Sequence, residues 1–256
     1  MLIAVAVYDT HENGRSALTY DTLESLMRTV DLSKHRVFII DNASCKETKI
    51  YLEHISNTVE NVQVITNETN VGTAKAINQA WKLRKDGEHL IKMDNDVVIH
   101  EAGWVEKLQA CFDRDPQIGI IGLKRKDLLE SPERTDFYKS ELVMLPHKPG
   151  EEWLVVEKAN HVMGTVQAYN HKLIDRIGGL YQMDGLYGFD DSLAAIRSQA
   201  AGFYNCFYPH INIDHIDPGA SDYTQWKADY AGERMSEYNR IAHGMRNGLI
   251  PIEFPL

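Results

Sequence analysis

Apolar runs of strand length recur along the first half of the chain, at Ile3 to Val7, Val37 to Ile40, Val62 to Ile65, His89 to Met93 and Ile118 to Gly122. Between them lie amphipathic segments whose apolar positions return at helical spacing, near Ser16 to Thr29, Lys46 to Ser56, Thr73 to Lys85 and Trp104 to Phe112. Continuous apolar strands suit burial on both faces, and the intervening helices supply the cover. The pattern therefore predicts an α/β domain built on one mainly parallel sheet flanked by helices. Beyond it, about Asp222 to Gly244 reads as a helical tail packing on the core through Trp226, Tyr230 and Tyr238.

Composition narrows the classes. With 256 residues and 43% apolar content the chain can bury one substantial core, so one domain with an appendage is expected rather than two equals. No apolar run approaches the roughly 20 residues that span a membrane, and Met1-Leu-Ile-Ala lacks the basic flank of a secretion signal. Cys45, Cys111 and Cys206 are scattered without pairing or metal spacing, which fits a reducing compartment and a cytoplasmic location. A formal charge of −10 argues against a broad nucleic-acid surface, and Lys124-Arg-Lys126 reads as a solvated strand end or a local phosphate contact. The same charge disfavours an anionic bilayer, so any membrane contact would be peripheral.

Chemistry-bearing residues collect where strands end, which is where ligands gather on such sheets. Asp94 and Asp96 follow Leu90 to Met93 with one residue between them, a spacing that suits either a divalent cation such as Mn²⁺ or Mg²⁺ or a turn. Asp41 follows Val37 to Ile40, where an Asx turn with Ser44 is the plain reading. Asn70 to Asn78 opens a helix whose free backbone N–H groups can face phosphate, and Lys75 there is either a diphosphate contact or a solvated lysine. Val5 to Asn13 holds no glycine-rich loop, so neither a dinucleotide fingerprint nor the phosphate loop of a sugar nucleotidyltransferase is present. Asp190 and Asp191 precede an amphipathic run, where acids also serve as helix caps.

Together these segments carry a resemblance. Asp41-Asn-Ala-Ser44, Asn70 to Asn78 and Asp94-Asn-Asp96 resemble the successive donor-site motifs of family 2 glycosyltransferases. Gly164, Tyr169 to Ile177 and Gly178-Gly179 resemble the segment leading to that family's catalytic helix, and Gly188-Phe-Asp-Asp191 stands where the family has Gly-Glu-Asp. Pro209 and His215 follow Asp191 by 18 and 24 residues, as in the family pattern. The resemblance covers roughly residues 1–216, with a nucleotide-sugar-binding half at 1–100 and an acceptor and catalytic half at 101–216. Residues 217–256 form a helical extension outside it.

The resemblance implies a GT-A fold and a metal-dependent, inverting transfer of sugar from a nucleoside diphosphate donor to a hydroxyl acceptor, expected to be a glycan. By match, Asp191 is the base, and Asp190 replaces a glutamate that contacts acceptor. Asp96 ligates the metal, Asp94 faces the ribose or a metal-bound water, and His215 completes the metal sphere. Asp41 would accept from a base N3–H, which favours a UDP-sugar. For the acceptor side, Phe137, Tyr138 and Trp153 around the segment Arg125 to Gly150, and Met183 to Tyr187, are candidate walls. A sugar nucleotidyltransferase and a non-catalytic nucleotide-sugar-binding scaffold are the competing readings.

Overall fold

A computed structural model of the chain describes residues 1–129, 141–147, 149–217 and 222–256. Its elements run β1 (Leu2–Val7), α1 (Ser16–Thr29), β2 (Arg36–Asp41), α2 (Lys46–Thr58), β3 (Val62–Thr66), α3 (Thr73–Trp81), β4 (Leu90–Met93), β5 (Val97–Val98) and α4 (Trp104–Arg114). They continue with β6 (Ile118–Arg125), α5 (Lys126–Leu129), β7 (Leu142–Met144), β8 (Val155–Ala159), β9 (Val166–Tyr169), α6 (His171–Ile177), α7 (Asp190–Ala200), β10 (Tyr204–His215) and α8 (Asp222–Arg246).

The strands form one sheet in the order β3-β2-β1-β4-β9-β6-β10-β8-β7, with β5 paired to β10. From β3 to β4 all pairs are parallel, as is β6 with β10. Strand β9 enters antiparallel between β4 and β6, and β8 and β7 extend the far edge antiparallel. The helix-covered sheet expected from the alternation is present, and the later antiparallel strands complete it.

Two-residue periodicity sorts each strand between two cores. Ile3, Val5 and Val7 of β1 join Val37 and Ile39 beneath α1, α2 and α4. Leu2 and Ala4 join Phe38 and Ile40 beneath α3, α6 and α7. At about 1.5–3 kcal/mol for each large aliphatic side chain buried, these layers outweigh any single polar contact at the strand ends. The edge residues are thereby free to serve chemistry.

Helix α3 stops at Trp81 rather than Lys85, because the Leu83 and Arg84 N–H groups bond back to the Ala80 and Trp81 carbonyls at 2.9 and 3.2 Å, tightening the turn. Helix α8 docks chiefly through Ile241, Ala242 and Met245 against Leu193 and Ile196 of α7. Of the three aromatics expected to anchor it, Tyr238 stacks on Phe189 at 4.3 Å, whereas Trp226 is 42% exposed and leans with Tyr230 on the loop before α7.

Past α8 the chain returns as an extended arm. Phe254 N–H donates to Ile177 O at 2.7 Å and Gly179 N–H to Phe254 O at 2.8 Å. A Cβ on Gly178, at φ +76°, would lie 2.0 Å from Phe254 O, so only glycine admits the arm there. The buried Arg197 of α7 ties the arm down, donating to Ile252 O and Gly179 O at 2.6 Å each and to Ile177 O. Among the described residues no helix is long and apolar enough to cross a membrane.

Candidate active site

A cleft of about 440 Å³ opens over the carboxyl ends of the parallel strands, with Arg15, Asp94, Asp96, Asp191, His215 and Lys227 among its lining. The neighbouring Asp94 and Asp96 turn different ways. Asp94 Oδ1 takes Lys92 Nζ at 2.8 Å, while Asp96 Oδ2 lies 2.6 Å from Arg15 Nη2 and 3.6 Å from His215 Nε2. The β5–β10 pairing creates the second contact, setting Val97 opposite His215 while Ile216 N–H donates to Asp96 O at 2.9 Å. Asn95 between the acids points inward, its amide on Thr19 Oγ1 at 2.8 Å and the buried Asp9 at 3.3 Å.

Burial alone would raise the Asp96 pKa, but the bond and charge of His215, with Arg15, hold it well below the usual carboxylate range. Its Oδ1 is buried without a hydrogen-bond partner among the described residues. A hard carboxylate with an open oxygen beside an imidazole nitrogen fits a divalent cation held by Asp96 and His215. Asp94 is engaged by Lys92 instead. Arg15 also donates to Asp217 Oδ2 at 2.8 Å, and Lys227 Nζ lies 3.7 Å from the same oxygen, so protein-borne positive charge already crowds this end.

Across the cleft, Gly188 (φ +109°) and Phe189 (φ +61°) turn the chain sharply, which aims the first turn of α7 inward. Asp191 Oδ1 accepts from Ser192 N–H at 2.7 Å, and Oδ2 accepts from Gly164 N–H at 3.1 Å and faces His161 Nε2 at 3.2 Å. Burial would raise its pKa, but His161, Lys92 and the Ser192 N–H outweigh that and bring it to about 2. Asp190 shifts the other way, pushed up by burial against the opposing pull of Lys92, which lies 3.7 Å from its Oδ2. The Lys92 ammonium also donates to Gly164 O at 2.7 Å. Burial opposes its charge, yet Asp94, Asp190 and Asp191 keep its pKa above the ordinary lysine value. This single cation links the two acidic pairs.

A recess of about 240 Å³ adjoins the cleft, sharing Arg15, Thr73, Asn95 and Tyr187, and carries Tyr8, Asn42, Asn70 and Trp226. Asn42 is fixed there: its Oδ1 accepts from Val71 N–H at 3.0 Å and its Nδ2 donates to Asn70 Oδ1 at 2.7 Å. Asp41 sits elsewhere. It is buried, its Oδ1 accepts from Ser44 N–H at 2.7 Å as an Asx turn, and it borders a shallow surface hollow with Lys49 and Leu52. The start of α3 is likewise occupied, with Thr73 N–H on Leu186 O at 3.3 Å and Lys75 N–H on Gln182 Oε1 at 2.9 Å. The Lys75 side chain is exposed and outside the lining of both cavities.

Of the acceptor-side candidates, Leu186 and Tyr187 line the cavities. Trp153 stacks on His147 at 3.7 Å beside a separate groove, and Phe137 and Tyr138 lie outside the described residues. In the basic strip, Lys124 is buried against Glu157 while Arg125 pairs with Asp127 at 2.6 Å and borders the cleft. Arg15, Lys92, His161, Asp217 and Lys227 are site residues that the sequence reading did not select. Lys92 alone carried a local signal, as a charge inside an apolar strand.

The sequence pattern of Glycosyl transferase family 2 matches residues 5–178, and the chain belongs to that family. Comparison with curated proteins gives no match. Among solved structures, the chain is similar to the mannosyltransferase PcManGT of Pyrobaculum calidifontis, in complex with GDP-Man and Mn²⁺, with a TM-score of 0.67 and 17% identity. It is also similar to S. aureus TarS 1-349 in complex with UDP-GlcNAc (TM-score 0.60, 18% identity) and to GalNAc-T7 with UDP, GalNAc and Mn²⁺ (0.59, 16%). These alignments cover 93%, 86% and 95% of this chain but 64%, 61% and 50% of the others. The chain thus spans half to two thirds of the length of these structures. At such identities the likeness establishes the shared GT-A fold.

Proposed function

We propose that the cleft is the active site of a metal-dependent, inverting glycosyltransferase that moves a sugar from a nucleoside diphosphate to a hydroxyl group of a glycan. The observation that carries this reading is one cleft holding two separate acidic ends. Asp96 and His215, with Arg15 and Lys227 beside them, stand at the end that adjoins the Asn42 and Asn70 recess. Asp191 stands at the first turn of α7.

Asp96 and His215 would hold Mn²⁺ or Mg²⁺, which would supply positive charge for the departing diphosphate. Arg15 and Lys227 add fixed positive charge toward the same oxygens. At the other end, Asp191 takes the acceptor hydroxyl proton as the oxygen bonds to the anomeric carbon and the carbon–diphosphate bond breaks. Attack from the face opposite the leaving group inverts the centre. The nucleoside occupies the smaller recess, its base met by Asn42 and Asn70, and a uridine donor is the first to test. The unpaired thiols of Cys45, Cys111 and Cys206 agree with a cytoplasmic site of action.

Calorimetric titration with UDP, GDP and dTDP, each in Mn²⁺ and then in EDTA, tests the donor half. Metal-dependent binding of one nucleotide is expected. For the catalytic half, Asp191→Asn should retain that binding while sugar transfer falls by about 10²–10⁴. Failure of every nucleotide to bind folded protein, or undiminished transfer in Asp191→Asn, would overturn the assignment.

A further inference from the structure

Asp191 is held at both of its oxygens. Two backbone N–H groups, from Ser192 and Gly164, fix its two oxygens at 2.7 and 3.1 Å. Both bonds orient the carboxylate, and both lower its appetite for a proton. A third neighbour differs in kind. His161, in the loop between β8 and β9, sets its ring Nε2 3.2 Å from Asp191 Oδ2 and 3.5 Å from Ser192 Oγ. Its side chain is 39% exposed, so the imidazole can exchange protons with water while it touches the carboxylate.

We propose that His161 is a positioning residue that gates Asp191 through its own charge, the two forming a dyad competent as a base only while the imidazole is neutral. This rests on the assignment of Asp191 as the base. A neutral imidazole with its proton on Nε2 donates to Oδ2 and orients the carboxylate. An imidazolium adds a full positive charge at the same distance and holds the carboxylate's electrons against the proton it must accept. In the competent state the acceptor O–H bond breaks, the proton goes to Asp191, and the oxygen's electron pair forms the new bond to the anomeric carbon. The bond from the anomeric carbon to the diphosphate oxygen breaks, and the diphosphate leaves with that electron pair.

The other charges around the pair do not mimic this switch. From α7, Ser192 contributes only a hydroxyl and a backbone N–H. From β4, Lys92 stays protonated, burial opposing its charge and Asp94, Asp190 and Asp191 sustaining it. Among the described residues the buried Tyr169 and the half-buried Tyr187 also act on Asp191, but burial raises their pKa and keeps them neutral, and the test separates Asp190 from His161. For His161, burial works against the charged form but contact with Asp191 outweighs it, so its pKa is raised from the ordinary 6.5. The gate therefore closes as pH falls through the neutral range.

The test is the pH dependence of kcat from about pH 5 to about pH 9 in the parent and in His161→Gln, which keeps a donor to Oδ2 but cannot ionise. The parent should lose about tenfold per pH unit on an acid limb in the neutral range. In His161→Gln that limb should disappear, with donor KM unchanged, whereas His161→Ala should lose kcat at every pH. An acid limb that persists unmoved in His161→Gln would assign it to Asp190 and overturn the proposal. NMR titration of the His161 ring adds a readout that needs no turnover. Its pKa should fall in Asp191→Asn, and an unmoved value would overturn the pairing. Absence of any turnover with the NMR shift intact would instead count against the transferase reading.

Discussion

Arg15 and Asp96 form a buried ion pair, Nη2 to Oδ2 at 2.6 Å, at the oxygen-rich end of the cleft. A guanidinium there supplies charge that a divalent ion also brings. Breaking a buried pair by removing one partner costs about 3–5 kcal/mol, because the other charge is stranded. Arg15→Ala should therefore melt lower in EDTA and recover in part when Mn²⁺ is added. The check is thermal unfolding with and without Mn²⁺, and equal Mn²⁺ shifts in variant and parent would remove Arg15 from the cation end.

The two acids of the Asp94-Asn95-Asp96 segment should separate in experiment as they do in space. Asp96→Asn removes the open buried oxygen and is expected to make nucleotide affinity the same in Mn²⁺ and in EDTA. Asp94→Asn loosens Lys92 but should leave Mn²⁺ dependence in place. Calorimetry on both variants decides, and metal dependence surviving in Asp96→Asn would move the ion elsewhere.

Asp41 and Asn42 invite a similar comparison. Asp41→Asn keeps an acceptor for Ser44 N–H and should leave nucleotide affinity and base preference as they were. Asn42→Ala takes a fixed amide out of the recess and should weaken the preferred nucleotide about tenfold, the worth of one hydrogen bond of about 1.4 kcal/mol. The opposite ranking in competition binding would restore Asp41 as the base-reading group.

His89 makes stability fall on the acid side. Its Nδ1 accepts from His171 N–H at 3.0 Å, a role open only to the neutral ring, and burial beside His171 lowers its pKa to about 4 from 6.5. Between those values the unfolded chain binds a proton that the folded chain refuses. Stability therefore rises with pH across that window and declines as pH falls through it, by roughly 3 kcal/mol in all. His89→Asn keeps an acceptor without the titration, so denaturant unfolding against pH should be flatter in the variant. Parallel curves would place the acid sensitivity on other groups.

Strands β1 and β2 were legible because full burial writes itself as an unbroken apolar run, and β4 as a run that only Lys92 interrupts. The helices between them were legible because one face of each is wet. Strand β9 was not, since Val166 to Tyr169 acquires its place only by pairing with β4 and β6, a relation between distant segments that local periodicity does not carry. Asp217 of the cleft carried no signal, but Asp41, Asp94, Asp96, Asp190 and Asp191 announced themselves by type and spacing. Their direction did so only in part: the turn of Asp41 onto Ser44 is local and follows from the sequence, but Asp94 parting from Asp96 depends on Lys92 and on Arg15, which only the fold brings to Asp96. His161 lies in a loop without pattern, so nothing local marked it as Asp191's neighbour.

The arm at Ile252 to Phe254 has a mechanical consequence. Arg197, whose guanidinium it covers, sits on the helix that begins with Asp190 and Asp191. Burial lowers even this guanidinium's pKa to about 10, and lifting the arm would remove the Ile252 carbonyl that receives it. Force applied near residue 256 would thus travel along a stiff linkage into the helix that carries the carboxylates. A fluorophore or tether attached there would serve as a strain gauge for the cleft, and a fusion partner without slack would act as a brake.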